Sequence, residues 1–240
     1  MTKHNKESGF TLVELAIVMI IIGLLIGGIL KGQELISNAQ TTATIAQIKG
    51  IDGAISTFND KYSELPGDMA TPGVRLSNCA AACAVAGDGL GTIGPAASVV
   101  LAPAIGNEGV VAFLHMGAAD LISGVENGTA APLLVDAVTE AEFGGSMWIG
   151  YHTNGNITPG MTTVRRGHYL AIKDQLTAVA DGAVDGISAV NAGRIDRKLD
   201  DGNADTGDVR STGGTCDTNA GAYQEGNNAA FCDTIVRIQG

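Results

Sequence analysis

The stretch that decides the fold is FTLVELAIVMIIIGLLIGGIL, which runs from Phe10 to Leu30 and contains a single ionisable side chain, Glu14. As an α-helix it would span roughly 32 Å, which is close to the roughly 30 Å of bilayer hydrocarbon. Lys31 and a polar helical pattern follow it, whereas a cleaved secretory signal ends its apolar run in small residues. The stretch therefore predicts a membrane-spanning helix that stays attached to the chain.

A short polar leader, MTKHNKESG, precedes this helix and ends at Gly9. Cleavage after Gly9 would leave the apolar helix in place. Lys3 and Lys6 favour a cytoplasmic leader, so the chain beyond Leu30 is expected outside the membrane. The chain has 4 cysteines, and cysteines are typical of an exported region because disulfides persist there.

Glu14 is the most informative residue of the apolar stretch. A carboxylate within a membrane span costs about 2.5 to 3.5 kcal/mol on insertion scales unless a partner compensates it. If the chain is cut after Gly9, Phe10 gains an α-amino group one helical turn from Glu14. That amine could pair with its own Glu14 or with the carboxylate of a neighbouring subunit.

The segment Gly9-Phe10-Thr11-Leu12-Val13-Glu14-Leu15, with the apolar run behind it, resembles the type IV pilin N-terminal signature. Type IV pilins, minor pilins and the pseudopilins of type II secretion share this signature. The resemblance implies cleavage after Gly9 by a prepilin peptidase and N-methylation of Phe10. It also implies that Glu14 compensates the amine of a neighbouring subunit during filament assembly.

The same resemblance implies partners and a location. The partners are other pilins or pseudopilins, in a homo- or hetero-polymer, together with an inner-membrane assembly platform. The chain would first be a single-pass precursor in the cytoplasmic membrane, with its N-terminus in the cytoplasm, and later part of a pilus or pseudopilus. Lys31 stands where many major pilins carry a proline, so major pilin, minor pilin and pseudopilin all stay open.

These features predict a structural filament subunit, and the alternative is a low-abundance minor pilin that acts as a binding or adhesion module. An enzyme is not expected, because no catalytic constellation of residues is visible in the sequence. The formal net charge of −11 disfavours nucleic-acid binding, because the phosphate backbone would be repelled.

Apolar residues continue at helical spacing after Lys31, so the helix is expected to reach about Asp60 and to present an amphipathic stripe to a globular domain. The residues of this stripe are Ile45, Ile48, Ile51, Ile55 and Phe58. The predicted organisation is a removed leader (1–9), a transmembrane or filament-core helix (10–30), its amphipathic continuation (31–65) and an exported globular domain (66–240).

The globular domain is expected to be α+β with an antiparallel sheet, and with the long helix this makes a pilin fold. Alternating apolar residues predict strands at 146–152, 168–173 and 234–239. Helical spacing predicts helices within 110–122 and, more weakly, within 176–199. Residues 87–103 are predicted to form an exposed loop.

The four cysteines, Cys79, Cys83, Cys216 and Cys232, allow three disulfide connectivities. We favour Cys79–Cys83 with Cys216–Cys232, and pilins commonly close a C-terminal loop in this way. A four-thiolate zinc site is the less favoured alternative, because such sites usually carry paired cysteines two residues apart.

An acidic stretch offers a tentative calcium site, with oxygen ligands at alternating positions of a glycine-containing loop. The ligands would be Asp201, Asn203, Asp205 and Asp208. No glutamate occupies the twelfth position, so Asp196 or Asp200 would have to complete the set. Some type II secretion pseudopilins bind structural calcium, which favours the site. The alternative is a solvated acidic turn that joins a helix to a strand, with the side chains capping local amides.

The sequence assigns no function to two other features. Residues 89–94 spell GxGxxG, but no strand is predicted before them and Pro95 follows, so a nucleotide-binding turn has no support. The segments FNDKYSELPGD (58–68) and IDRKLDDGNADTGDVR (195–210) resemble stretches in other prepilin-type proteins, with no assigned role.

Overall fold

The computed structural model describes residues 11–79, 81–94, 106–125, 137–152, 164–173, 187–213, 215–218, 220–227 and 231–238. The chain divides into two compact units, one up to Gln40 and the other from Thr41 onward. A long helix, α1 (Leu12–Tyr62), contributes residues to both units.

In the first unit, the apolar surface of α1 is exposed around the whole circumference of the helix. Residues 11–31 are all exposed, and Leu12 and Leu24 expose 89% and 72% of their surface. By length and composition α1 qualifies as a membrane-crossing helix, with a mean hydropathy of 2.8 over its most apolar window. The predicted apolar N-terminal helix is therefore present.

In the second unit, α1 packs one face on the globular core. The five apolar residues predicted from helical spacing are all buried, and Phe58 is fully buried. Thr41 and Thr44 are also fully buried on this face, although their polarity gave no sign of it in the sequence. The amphipathic stripe thus extends further toward the N-terminus than the apolar residues alone indicate.

The helix ends at Tyr62, close to the predicted end. Ser63 adopts a left-handed conformation with φ of 56°, and the Glu64–Asp68 turn follows. Gly67 has φ of 87°, and a Cβ there would collide with the carbonyl of Glu108. This turn therefore requires glycine both for its backbone angle and for its close contact with the next helix. A short helix, α2 (Pro72–Arg75), comes next.

The sheet is antiparallel throughout the described pairings, and its strand order is β1-β2-β3-β6-β4, with β5 pairing β6 outside this path. The strands are β1 (Thr139–Glu140), β2 (Ser146–His152), β3 (Gly167–Lys173), β4 (Ile187–Ser188), β5 (Val209–Thr212) and β6 (Phe231–Ile238). The three strands predicted from alternation correspond to β2, β3 and β6, which confirms the α+β class. Gln239, the predicted end of the last strand, lies outside the described residues.

Two further helices cover the core, and their bounds correct the predicted ones. Helix α3 (Glu108–Ala118) stops before the predicted end at Ile122, because Asp120 takes a left-handed φ of 58°. Helix α4 (Ala189–Leu199) occupies only the end of the predicted 176–199 pattern, and residues 174–186 lie outside the described part. A side-chain oxygen caps the start of each helix. In α3 the Asn107 side chain accepts a hydrogen bond from the Gly109 amide, and in α4 the Ser188 side chain accepts one from the Asn191 amide.

The core of the globular unit is formed by one face of α1, by α3 and α4, and by β2, β3 and β6. Its largest fully buried side chains include Trp148, Tyr169, Phe58 and Phe113. Trp148 is the only tryptophan in the chain, so its fluorescence reports on the packing of this core.

Candidate functional site

The start of α1 brings Glu14 and Thr11 together in a reciprocal cap. Oε2 of Glu14 accepts hydrogen bonds from the Thr11 backbone N–H at 2.9 Å and from the Thr11 hydroxyl at 2.8 Å. The Glu14 backbone N–H donates to the Thr11 hydroxyl oxygen at 3.3 Å. This is the capping-box geometry of a Thr followed three residues later by Glu.

The cap gives Glu14 an internal partner within the chain. From the sequence, Glu14 was expected only as a partner for an amine, and Thr11 had no predicted role. The T-x-x-E spacing was the signal that could have identified it. Gly9 and Phe10, the predicted cleavage and methylation positions, lie outside the described residues, so the geometry of the site begins at Thr11.

Two disulfides link the globular unit, Cys79 to Cys83 and Cys216 to Cys232. These are the two pairs favoured from the sequence. Cys216 and Cys232 are fully buried, and Cys232 lies in β6. The second disulfide therefore attaches the 213–227 region to the central strand of the sheet.

The acidic stretch after α4 forms a turn whose side chains bind its own backbone. Asp201 accepts the Asn203 amide at 2.9 Å with one oxygen and the Thr206 hydroxyl at 2.6 Å with the other. The Asn203 side chain accepts the Asp205 amide at 3.0 Å. The Thr206 hydroxyl, followed by the Asn203 amide, lowers the pKa of Asp201 because both stabilise its charged form.

The end of this turn is held by two other contacts. Oδ2 of Asp200 accepts the backbone amides of Asp208 and Val209, the latter at 3.1 Å, and so fixes the start of β5. Asp208 faces Arg237 across 3.4 Å. The stretch thus has the hydrogen bonding of a turn that joins a helix to a strand, and calcium at Asp201, Asn203, Asp205 and Asp208 stays a prediction.

Asp196, on α4, is fully buried beneath this turn. It accepts the Gly202 amide at 3.0 Å and the Tyr223 hydroxyl at 2.7 Å. Burial raises the pKa of Asp196, and these two hydrogen bonds only partly oppose the shift. One carboxylate oxygen each from Asp196, Asp200 and Asp201 lie within 4.8 Å of one another. Asp196 therefore has a structural role, because it holds segment 195–210 in its folded conformation. No role had been assigned to this segment from the sequence.

The glycine-rich segment 87–94 is bound by carboxylates of the same chain. Asp68 accepts the amides of Leu90 at 3.1 Å and Gly91 at 2.8 Å, and Glu108 accepts the amide of Gly94 at 2.7 Å. These amides would have to be free to bind a phosphate, so the GxGxxG pattern here is a structural loop. Asp68 belongs to the ELPGD part of segment 58–68, and clamping this loop is its role in the fold.

His115, in the last turn of α3, connects two loops. Its Nδ1 accepts the Gly67 amide at 2.9 Å, and its Nε2, which therefore carries the proton, lies 3.0 Å from the Cys83 carbonyl. The side chain is fully buried. Burial lowers the pKa of His115 to about 4, although the hydrogen bond to Cys83 opposes the shift.

These features define an α+β protein whose apolar N-terminal helix is long enough to anchor it in a membrane. Residues 4–30 match the family model of the prokaryotic N-terminal methylation motif, and with the long apolar helix this match fits a prepilin-like protein. Proteins with this motif are structural rather than enzymatic, and the motif is consistent with membrane anchoring. No curated protein and no solved structure matches the chain significantly.

Proposed function

We propose that the protein is a structural subunit of a type IV pilus-like or type II secretion pseudopilus filament. The observation that carries this proposal is the overlap of the methylation motif, residues 4–30, with helix α1, whose residues 12–31 are all exposed. A continuous apolar surface of this length requires lipid or neighbouring helices around it. Membrane insertion followed by helix-to-helix assembly supplies both environments.

In this proposal a prepilin peptidase cleaves after Gly9, and the new α-amino group of Phe10 is methylated. The amine then pairs with Glu14 of a neighbouring subunit. Before assembly the Thr11 cap satisfies the Glu14 carboxylate, with contacts of 2.8 and 2.9 Å. Assembly would thus replace neutral donors by a cation, which strengthens the hydrogen bonding of a carboxylate in an apolar environment.

In this proposal the chain occupies two locations in turn. It begins as a single-pass precursor in the cytoplasmic membrane with its globular unit outside, and it then enters a filament through an inner-membrane assembly platform. Its partners are other pilins or pseudopilins, and its role is structural, not enzymatic. The net charge of −11 supports contacts with proteins over contacts with nucleic acid.

Replacing Glu14 by alanine tests the assembly step separately from processing. We expect Glu14→Ala to be cleaved normally, as read from the mass of the mature chain, but to be depleted from filaments sheared from intact cells. Glu34→Ala is the matched control, since Glu34 lies on the same helix, is exposed and pairs with Lys31 at 2.6 Å. Normal incorporation of Glu14→Ala into filaments would contradict the pairing argument.

The alternative role, a low-abundance minor pilin that acts as a binding or adhesion module, is favoured by Lys31 at the position where many major pilins have proline. The amount of the protein in the sheared fraction, relative to other pilins, separates the two roles. A dominant amount indicates the main filament subunit, and a trace amount indicates an accessory one.

A further inference from the structure

A polar groove of about 580 Å³ opens at one end of the sheet, where β2 and β6 end and β3 begins. Tyr151, Gly167, His168 and Arg237 line it from these strands. The volume lies in the range of small-molecule sites, which is roughly 300–1,000 Å³.

The groove has a positive character that contrasts with the rest of the chain. Arg166 and Arg237 line it. These are two of the seven arginines in a chain with 14 basic and 25 acidic residues. Such a local concentration of guanidinium groups favours an anion.

One wall of the groove is aromatic and fixed in place. The rings of Tyr151 and His168 contact each other with centroids 4.9 Å apart, at 54°. Nε2 of His168 accepts the Ile93 amide at 3.1 Å, and this bond holds the imidazole ring, which is 5% exposed, in one orientation. Gly91 and Gly167 also line the groove and leave space beside these rings.

A carboxylate, Asp208, also lines the groove, 3.4 Å from Arg237. Its presence matters for the choice of ligand. A phosphate dianion would be attracted by the arginines but repelled by Asp208. It also has no apolar face that could pack against the aromatic rings. A sugar acid offers a carboxylate for a guanidinium, hydroxyls for the Asp208 carboxylate, and a C–H face for an aromatic ring.

We propose that this groove binds a carboxylated sugar residue, such as a uronic acid at the end or within a chain of an anionic polysaccharide. The exposed Arg166 at the rim pairs with the sugar carboxylate, Asp208 accepts hydrogen bonds from the hydroxyl groups, and Tyr151 packs against the ring. This binding is independent of filament assembly and would give the filament or its accessory subunit a surface ligand.

The test is a calorimetric titration of full-length protein in detergent micelles with trigalacturonate. We expect saturable binding, no binding of the neutral trisaccharide maltotriose, and a loss of about tenfold or more in affinity for Arg166→Gln. Arg165→Gln is the matched control, because this neighbouring exposed arginine does not line the groove. We expect the control to change the affinity by less than about twofold.

A second variant separates the sugar from a simple anion. Tyr151→Ala keeps every charge of the groove, and we expect it to weaken trigalacturonate binding as well. Trp148 fluorescence and circular dichroism identify any variant that fails to fold, and the remaining variant then decides the test. Three results would overturn the proposal: no heat of binding to the wild type, equal affinity in both variants and wild type, or tighter binding of inorganic phosphate or of a hexaglutamate peptide.

Discussion

Acidification should destabilise the globular unit through His115. The imidazole is fully buried, with Nδ1 accepting the Gly67 amide at 2.9 Å and Nε2 3.0 Å from the Cys83 carbonyl. A proton added to Nδ1 would point at the Gly67 N–H, so two donors would face each other in an apolar site. The folded protein therefore resists protonation, and the pKa of His115 is lowered from 6.5 to about 4.

The sign and size of the effect follow from the two pKa values. Below pH 6.5 the unfolded chain binds a proton at His115 that the folded chain does not, so the free energy of unfolding falls until the pH passes about 4. The total loss is about 3 kcal/mol, of which about 2 kcal/mol appears between roughly pH 7 and pH 5. Asp68 and Asp196 act in the opposite direction, because burial raises their pKa in the folded state.

The assay is urea unfolding of the full-length protein in detergent, followed by Trp148 fluorescence at a series of pH values. The variant His115→Gln keeps one donor and one acceptor but cannot titrate, and it retains the opposing carboxylates. We expect it to be less stable than the wild type near neutral pH and to lose about 2 kcal/mol less on acidification to roughly pH 5. Equal slopes for the two proteins would refute the role assigned to His115.

Two further predictions concern the region between α4 and β6. Removing the second disulfide with Cys216→Ala and Cys232→Ala should lower the free energy of unfolding by about 3 kcal/mol, measured by the same urea assay, and an unchanged midpoint would contradict this. Calcium binding at the acidic turn predicts that millimolar calcium raises Tm in the wild type but not in Asp205→Asn. An equal response of the two proteins, or no response, would contradict calcium binding. The stretch would then be a turn stabilised by its own hydrogen bonds.

The sequence was most informative where one local signal dominated. The apolar stretch and the spacing of residues such as Ile48 and Phe58 predicted α1, and the proline and glycine of ELPGD predicted its end. Strand β2, which contains Trp148, was predicted because apolar residues alternate along its sequence. Strand β5 was missed because its sequence, VRST, is polar and follows an acidic turn, so that only its pairing with β6 makes it a strand.

The contacts that shape the loops could not be derived from the sequence. Excluding a nucleotide-binding role for residues 89–94 required only the absence of a preceding strand. Knowing that Asp68 and Glu108 bind the loop required the fold, because the hydrogen-bonded residues are 22, 23 and 14 positions apart. The groove could not be derived from the sequence either, because Tyr151, Arg166 and Arg237 come together only through the register of the paired strands. The Thr11 cap, in contrast, was readable from its spacing.

Strand β6 pairs with three strands, β3, β4 and β5, and follows all of them in the chain. Because the chain is synthesised from its N-terminus, this sheet cannot close until residues 231–238 have been made. Until then β3 and β5 each lack the neighbour that β6 provides, and Cys216 has no Cys232 to join. The topology thus makes closure of the sheet and formation of the second disulfide late events in folding, because both wait for β6.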